Sequence, residues 1–179
     1  TNKKTVTLET LSGIKELQLT TQKTADGSHE EVTEVTVDMG APVIGETALE
    51  IEAGGTFYTG TVVSMGNPHC VLFEDPDGIE LDAVGPLFEN APVFPQRVNT
   101  EFVQKTGERS LKMRVWERGS GETLACGTGA CAAAAASVAI GMFPRGEDIT
   151  VRLPGGELVV NVGDRVLMTG EARMVFTGE

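Results

Sequence analysis

The stretch that decides the fold is Trp116-Glu-Arg-Gly-Ser-Gly-Glu-Thr-Leu-Ala-Cys126-Gly-Thr-Gly-Ala-Cys131, which five alanines follow. A glycine-rich loop gives way here to an alanine-rich run that predicts a helix over 127–140. The apolar run from Ala130 to Met142 is shorter than the roughly 18 residues needed to cross a bilayer, so a buried helix is the better interpretation. Cys126 is therefore placed at a helix start.

A cysteine at the start of a helix is in a position that can change its reactivity. The first backbone N–H groups of a helix lack internal partners, and with the helix dipole they favour an anion there. The same position can lower a cysteine pKa from about 8.5 toward neutrality. Gly127 and Gly129 allow a ligand to approach the backbone. Cys126 is thus a candidate acid/base thiol, although it could instead be a small buried residue, as we predict for Cys131.

A second candidate segment is Met65-Gly-Asn-Pro-His-Cys70. Asn67 precedes a proline and is therefore held extended, so its amide can be aimed at a ligand. His69 could orient or polarise a reacting group. The alternative is an ordinary turn with a satisfied histidine.

Weaker candidates flank the first stretch. Asn99 begins a predicted strand within Val98-Asn-Thr-Glu-Phe102. Glu117 and Arg118 would ordinarily form a solvated pair, but they precede the glycine loop that leads to Cys126. Their position makes them candidates for contact with the same ligand.

Outside these motifs, most of the sequence consists of short segments in which apolar and polar residues alternate. They predict an α+β fold with mostly antiparallel strands, a polar loop over 21–30 and a hairpin around Ser12-Gly13. The predicted strands cover 5–8, 15–20, 31–39, 57–64, 70–73, 99–105, 111–117, 157–162 and 172–176, and the predicted helices cover 81–89 and 127–140.

Composition narrows the class of protein. The 179 residues are 40% hydrophobic and 22% charged, with a net charge of −12, which opposes binding to nucleic acid or anionic membranes. Three cysteines make no disulfide framework and indicate a reducing cytoplasm. Their spacing does not support a metal site, and no dinucleotide-binding pattern is present, so neither metal nor cofactor is expected.

Four segments, in this order, resemble the diaminopimelate epimerase family. They are Met65-Gly-Asn-Pro-His-Cys, Val98-Asn-Thr-Glu-Phe, Trp116-Glu-Arg-Gly and Glu122-Thr-Leu-Ala-Cys-Gly-Thr-Gly-Ala-Cys. The resemblance implies a cytoplasmic, homodimeric and cofactor-independent isomerase. It would interconvert L,L- and meso-diaminopimelate in lysine and cell-wall precursor synthesis.

The resemblance also implies a mechanism with two thiols, one on each side of the substrate α-carbon. Cys126 would be one of these acid/base thiols, with Glu117 close to the reacting end and His69 supporting the thiol pair. The backbone amides of Gly127 and Thr128 would hold the α-carboxylate, where charge accumulates.

The far end of the substrate would be held separately. The family assigns it to Asn67, Asn99 and Arg118, with Arg118 meeting the distal carboxylate as a fork.

The resemblance divides the chain into residues 1–38, the remaining strands of a first lobe, 39–171, a second lobe around a central helix, and 172–179, a strand returning to the first lobe. The family's other active-site cysteine is expected in an upstream Cys-Gly-Asn-Gly-type loop, and neither Cys70 nor Cys131 lies in such a motif. We therefore expect this chain to be the C-terminal two-thirds of the enzyme, inactive without the missing N-terminal part.

Two alternatives remain open from the sequence. One is an isomerase of the same fold acting on another α-carbon, which would not need Asn99 and Arg118 together. The other is a non-catalytic lobe that binds an amino acid, and an unreactive Cys126 would favour it.

Overall fold

The computed structural model describes residues 3–10, 13–175 and 178, which form one continuous sheet of thirteen strands with two α-helices. A single turn of 3-10 helix lies at Pro76–Gly78. The strands are β1 (Thr5–Thr10), β2 (Gly13–Lys23), β3 (Glu30–Gly40), β4 (Val43–Ile44), β5 (Leu49–Ala53), β6 (Thr56–Ser64), β7 (Pro68–Leu72), β8 (Asn99–Gly107), β9 (Ser110–Glu117), β10 (Gly121–Thr123), β11 (Asp148–Leu153), β12 (Gly156–Val162) and β13 (Val166–Glu171); the helices are α1 (Leu81–Glu89) and α2 (Gly127–Ala139).

The strands follow the order β1-β2-β3-β13-β12-β11-β9-β8-β7-β6-β4, with β10 beside β9 and β5 beside β6. The pairings β7–β8 and β9–β11 are parallel, and the other described pairings are antiparallel. The parallel pair β7–β8 sets His69 opposite Asn99, so two of the candidate site residues become neighbours through the sheet.

Helix α2 is the centre around which the sheet curves. It contacts strands from one end of the strand order, β4 and β6, as well as strands further along it, β12 and β13. Its buried residues are almost all small, because the run 130–136 consists of alanines and Cys131. Small side chains let strands approach the helix closely from several directions, and no charged side chain lies along it. The predicted α+β fold, with mostly antiparallel strands around a central helix, is confirmed.

Helix α1 covers a second core on the other face of the sheet. The ring of Phe88 packs edge-on against Tyr58 and Phe102, at centroid distances of 5.0 and 5.6 Å. Gly85 lies against the Trp116 ring, where an added Cβ would be 2.2 Å from Cδ2. The absence of a side chain at residue 85 therefore lets the helix backbone pack directly on that ring. This core fixes the end of β9, from which the glycine loop departs.

The predicted helix over 81–89 is confirmed, as are the hairpin of β1 and β2 and the strand β3. The helix predicted over 127–140 is confirmed to within one residue. The loop predicted over 21–30 is shorter, because β2 continues to Lys23. Strands β4, β5, β10, β11 and β13 were not predicted.

The three strands β1, β2 and β3 form one end of the sheet, and none of their described residues is buried. This end joins the remainder through β13, which pairs with β3. The strand predicted over 172–176 is wrong for 172–175, which are irregular, because β13 has already made the return to β3 at 166–171. The rest of the predicted return strand, 176–179, lies outside the described residues except for Gly178. The division at residues 38 and 171 stays a prediction.

Within residues 3–10 and 13–175, neither helix has the length and apolar character needed to cross a membrane.

Candidate active site

Cys126 is the residue immediately before helix α2, with an extended backbone (φ −141°, ψ 104°). Only 7% of its surface is exposed, and its carbonyl accepts the first helical hydrogen bond, from Ala130 N at 2.9 Å. The N–H groups of the helix before Ala130, beginning with those of Gly127 and Thr128, have no intrahelical acceptor, because an α-helix leaves its first turn of donors unpaired. The thiol therefore lies beside backbone donors suited to a carboxylate.

The prediction that the pKa of Cys126 falls toward neutrality is wrong for this chain. Burial raises its pKa from 9.0 to about 11, and the carboxylates of Glu101 and Glu117 add to the increase. The Gly129 backbone N–H and the Thr128 hydroxyl act in the opposite direction but are outweighed. The resting thiol is therefore protonated at neutral pH.

Asn67 is joined to Cys126 through Thr128. The Nδ2 of Asn67 donates to Thr128 Oγ1 at 3.4 Å, and Thr128 Oγ1 lies 3.7 Å from Cys126 Sγ. The loop at 65–67 between β6 and β7 thus reaches the first turn of α2.

His69 is fully buried in β7 and lies between two partners. Its Nε2 is 3.0 Å from Asn67 Oδ1, and its Nδ1 is 2.6 Å from Glu101 Oε1. The contacts of His69 with Cys126 run through Asn67 and Thr128 rather than directly. Glu101 was not predicted as a site residue, because a glutamate in a strand is ordinarily solvated; its place in the quoted motif 98–102 was the available signal.

Asn99, Glu117 and Arg118 meet at the end of β9. Asn99 Nδ2 donates to the carbonyl of Pro68 at 3.0 Å, and its Oδ1 accepts the backbone N–H of Arg118 at 2.9 Å. Glu117 accepts a short hydrogen bond from the Thr123 hydroxyl. The Arg118 side chain is exposed, with its Nη1 donating to the carbonyl of Gln96 at 2.9 Å.

Glu89, at the end of α1, is a second buried carboxylate that the sequence did not reveal. It is 6% exposed and accepts three donors: Arg97 Nη1 at 2.9 Å, Trp116 Nε1 at 2.8 Å and Gly119 N at 3.0 Å. Because Gly119 follows Arg118 directly, Glu89 holds the backbone from which the Arg118 side chain extends.

The candidate residues therefore form one connected group at the ends of β7, β8 and β9 and the start of α2. A groove of about 400 Å³ borders this group at Ala125 and runs past Leu153, Leu158 and Val175. Another, of about 730 Å³, is lined by parts of 29–33 and 171–174, away from Cys126. Neither groove is lined by a candidate site residue, and the first comes closer to the site because Ala125 directly precedes Cys126. Among residues 3–10 and 13–175, no three His, Cys, Asp or Glu side chains form a group able to hold a metal ion.

Alkylation of Cys126 should report its protonation directly. With the pKa raised from 9.0 to about 11, the thiolate fraction at pH 8 is about 100-fold below that of an ordinary thiol. Because a thiolate of higher pKa is more nucleophilic, part of this difference is recovered, and we expect the rate with iodoacetamide to be lower by at least about tenfold and to rise about tenfold per pH unit up to pH 10. Mass mapping against Cys126→Ser separates this site from buried Cys70 and Cys131. A rate that levels off below pH 8 would contradict the raised pKa.

The fold of this chain is shared with solved structures of other proteins. A probable proline racemase from Agrobacterium radiobacter superposes with a TM-score of 0.69 at 18% identity, over 93% of this chain and 57% of that one. Such low identity shows a common fold and no more.

The sequence comparisons are more specific. The diaminopimelate epimerase family model matches residues 61–175. The diaminopimelate epimerase of Parabacteroides distasonis is 57% identical over 99% of this chain, and that of Phocaeicola vulgatus is 48% identical over all of it. The chain belongs to the diaminopimelate epimerase family, and it spans 65% and 66% of the length of these two relatives.

Proposed function

We propose that the protein, in its complete native form, is a diaminopimelate epimerase that interconverts the L,L and meso forms by proton transfer at the α-carbon. The observation that supports this best is the Cys126 thiol held beside the N–H groups of the first turn of helix α2. Near it lie Asn67, which donates to Thr128, and Asn99, which accepts the backbone N–H of Arg118. Membership of the family supports the choice of substrate.

Each turnover removes one proton from the α-carbon and adds another on the opposite face, so the substrate's composition is unchanged. The facing thiolate takes the α-proton, so a C–H bond breaks and an S–H bond forms. The electron pair left on the α-carbon then takes the proton of Cys126 from the other side, which leaves Cys126 as the thiolate. The high pKa of Cys126 suits it to the donor role at rest; in the reverse direction Cys126, now the thiolate, is the base.

The α-carboxylate would be held by the backbone N–H groups of Gly127 and Thr128. Negative charge accumulates on this carboxylate as the α-proton leaves, and N–H groups already in place stabilise it without reorganisation. Glu117 lies near enough to Cys126 to raise its pKa, so its carboxylate can face the substrate's α-ammonium group. The positive ammonium would offset the repulsion that Glu117 exerts on a Cys126 thiolate.

The distal end of the substrate requires a second amino acid site. Arg118 is exposed, and among the described residues its guanidinium donates through Nη1 alone, to the carbonyl of Gln96, so it can turn to a carboxylate in a forked contact. Asn99 links the two segments of this site, because its side chain binds both the backbone N–H of Arg118 and the carbonyl of Pro68. Recognition at both ends would exclude amino acids without a distal carboxylate.

The facing thiol would come from the part of the protein that precedes this chain, and an apolar row supports a docking site for it. Directly paired residues share one face of a sheet, and the row Met168, Val37, Leu17 and Val6 crosses four strands. None of these four side chains is buried. Met168 lies against Gly127, where an added Cβ would be 3.2 Å from its Sδ, so the row begins at the site itself.

The family resemblance further suggests a homodimer and a cytoplasmic enzyme. The three free cysteines, Cys70, Cys126 and Cys131, suit a reducing compartment, since a two-thiol mechanism requires both thiols to stay reduced.

A non-catalytic amino-acid-binding lobe is the second candidate. The raised pKa of Cys126 fits this candidate as well as the first, because a thiol that stays protonated is a poor base. This candidate predicts binding of diaminopimelate without any exchange of its α-proton, by the complete protein as well as by this chain.

The substrate assignment is tested by turnover of two compounds that differ at the distal end. The complete native protein should convert L,L-diaminopimelate to the meso form. It should act on L-lysine, which lacks the distal carboxylate, at least about 10³-fold less well in kcat/KM, because Arg118 would then be left unpaired. Comparable turnover of the two compounds would point to an isomerase of broader or different specificity.

A further inference from the structure

Glu101 is a buried carboxylate for which the proposed reaction provides no role. It lies in β8 with no exposed surface, one oxygen is 2.6 Å from His69 Nδ1, and the other has no hydrogen-bond partner among the described residues. A carboxylate in this environment is costly unless a positive or proton-bearing partner compensates it. Its retention beside Cys126 calls for a function.

The packing around Glu101 shows that the contact with helix α2 is close. A Cβ added at Gly129 would lie 2.8 Å from Glu101 Oε1 and 3.2 Å from Cys126 Sγ. Any side chain at residue 129 would therefore push the carboxylate and the thiol away from the helix. The glycine permits both groups to occupy the space beside the first helical turn.

Hydrogen-bond directions can be assigned along the path from Glu101 to the thiol. Asn67 donates through Nδ2 to Thr128, so its Oδ1 is the atom that faces His69 Nε2. An amide oxygen only accepts, and Nε2 must therefore carry a hydrogen. Thr128 Oγ1 already accepts from Asn67, which leaves its own hydrogen free for Cys126 Sγ.

The opposite assignment has a bare His69 Nε2 that accepts a hydrogen from Asn67. The net charge of the buried pair His69 and Glu101 decides between the two assignments. If Nε2 were bare, His69 would be neutral with its hydrogen on Nδ1, and Glu101 would be an uncompensated carboxylate with one unpaired oxygen. With a hydrogen on Nε2 and another shared between Nδ1 and Glu101, the pair is neutral overall. A neutral pair is favoured where both side chains have no contact with water.

We propose that Glu101 is a positioning residue that keeps a hydrogen on His69 Nε2 and so directs the Asn67 amide and the Thr128 hydroxyl toward the Cys126 sulfur. The sulfur then receives a hydrogen bond from Thr128, and its own S–H is left to point at the substrate. The same arrangement fixes which end of the Asn67 amide the substrate meets. This inference rests on the proposed function for its consequence in turnover, but its structural part does not.

The test combines nitrogen NMR of the histidine rings with turnover, on the complete native protein. Glu101→Gln can still donate a hydrogen to Nδ1, whereas Glu101→Leu cannot hold the ring. The control is Thr100→Val, since the Thr100 hydroxyl in the same strand is buried and makes no hydrogen bond among the described residues. His29, which is exposed, is removed by His29→Gln for assignment.

We expect the His69 signals to show a protonated Nε2 in the parent protein and in Glu101→Gln. In turnover, Glu101→Gln should lose less than about tenfold in kcat, Glu101→Leu about 100-fold or more, and Thr100→Val less than about twofold. A bare Nε2 in the parent protein, or a Glu101→Leu variant with full kcat, would overturn the proposal. If Glu101→Leu does not fold, the NMR of the parent and of Glu101→Gln decides alone. A protein inert toward diaminopimelate but with protonated Nε2 would refute the proposed function and leave the positioning intact.

Discussion

Cys126→Ser is expected to lower epimerisation of L,L-diaminopimelate by about 10³-fold or more in the complete native protein. Serine keeps the shape of the helix start, but a hydroxyl neither gives up nor takes the α-proton at neutral pH as a thiol does, and acid–base groups of this kind contribute about 10²–10⁴-fold. The measurement is kcat for formation of the meso form.

Cys131→Ala is the matched control for this substitution. Cys131 lies in the same helix and is fully buried, but it faces the core rather than the substrate. We expect it to retain kcat within about threefold. Equal losses for the two variants would mean that Cys126 acts through the structure of α2 and not through its proton.

Gly85→Ala is expected to give the largest loss of stability among the glycine substitutions in a helix. The added Cβ would lie 2.2 Å from Trp116 Cδ2 and 2.5 Å from its Cε3. The ring has little freedom to move, because its Nε1 donates to buried Glu89. Alanine improves helix propensity by about 1 kcal/mol, but overpacking of this severity costs about 3 kcal/mol or more.

The expected net loss is therefore at least about 2 kcal/mol in the free energy of unfolding, measured by urea denaturation. Gly78→Ala is the control, since a Cβ there meets no atom within 4 Å, and it should change stability by less than about 0.5 kcal/mol. Gly85→Ala as stable as Gly78→Ala would show that α1 does not rest on Trp116 as described.

The parts of the fold that the sequence predicted well are those in which local pattern and burial agree. Helix α2 follows from its alanine run, which favours a helix after the glycine loop, whereas α1 follows from its apolar pattern in spite of Pro86 in its interior. Strand β13 was missed since Val166, Leu167 and Met168 are consecutive apolar residues without alternation. Its place between β3 and β12 depends on partners distant in sequence.

The residues of the candidate site also fall into those that local motifs predicted and those that depend on the tertiary fold. Residues in distinctive motifs, such as Asn67 and Cys126, were predicted and lie together in the structure. Glu89 and Glu101 were not, because each is a charged residue whose burial depends on donors far along the chain, from Gly119 and His69 among others. The protonation of Cys126 was mispredicted for the same reason: the helix start is a local feature, whereas burial and the nearby carboxylates are products of the tertiary fold.

The central claim is that Cys126 exchanges a proton with the substrate α-carbon only when the complete protein closes the site. Deuterium uptake at the α-carbon of L,L-diaminopimelate in heavy water tests it most directly, with the complete native protein compared with its Cys126→Ser variant and with this 179-residue chain. We expect the complete protein to exchange and epimerise while the other two do neither. A complete protein that binds diaminopimelate and leaves its α-hydrogen in place would contradict the account and favour a binding lobe.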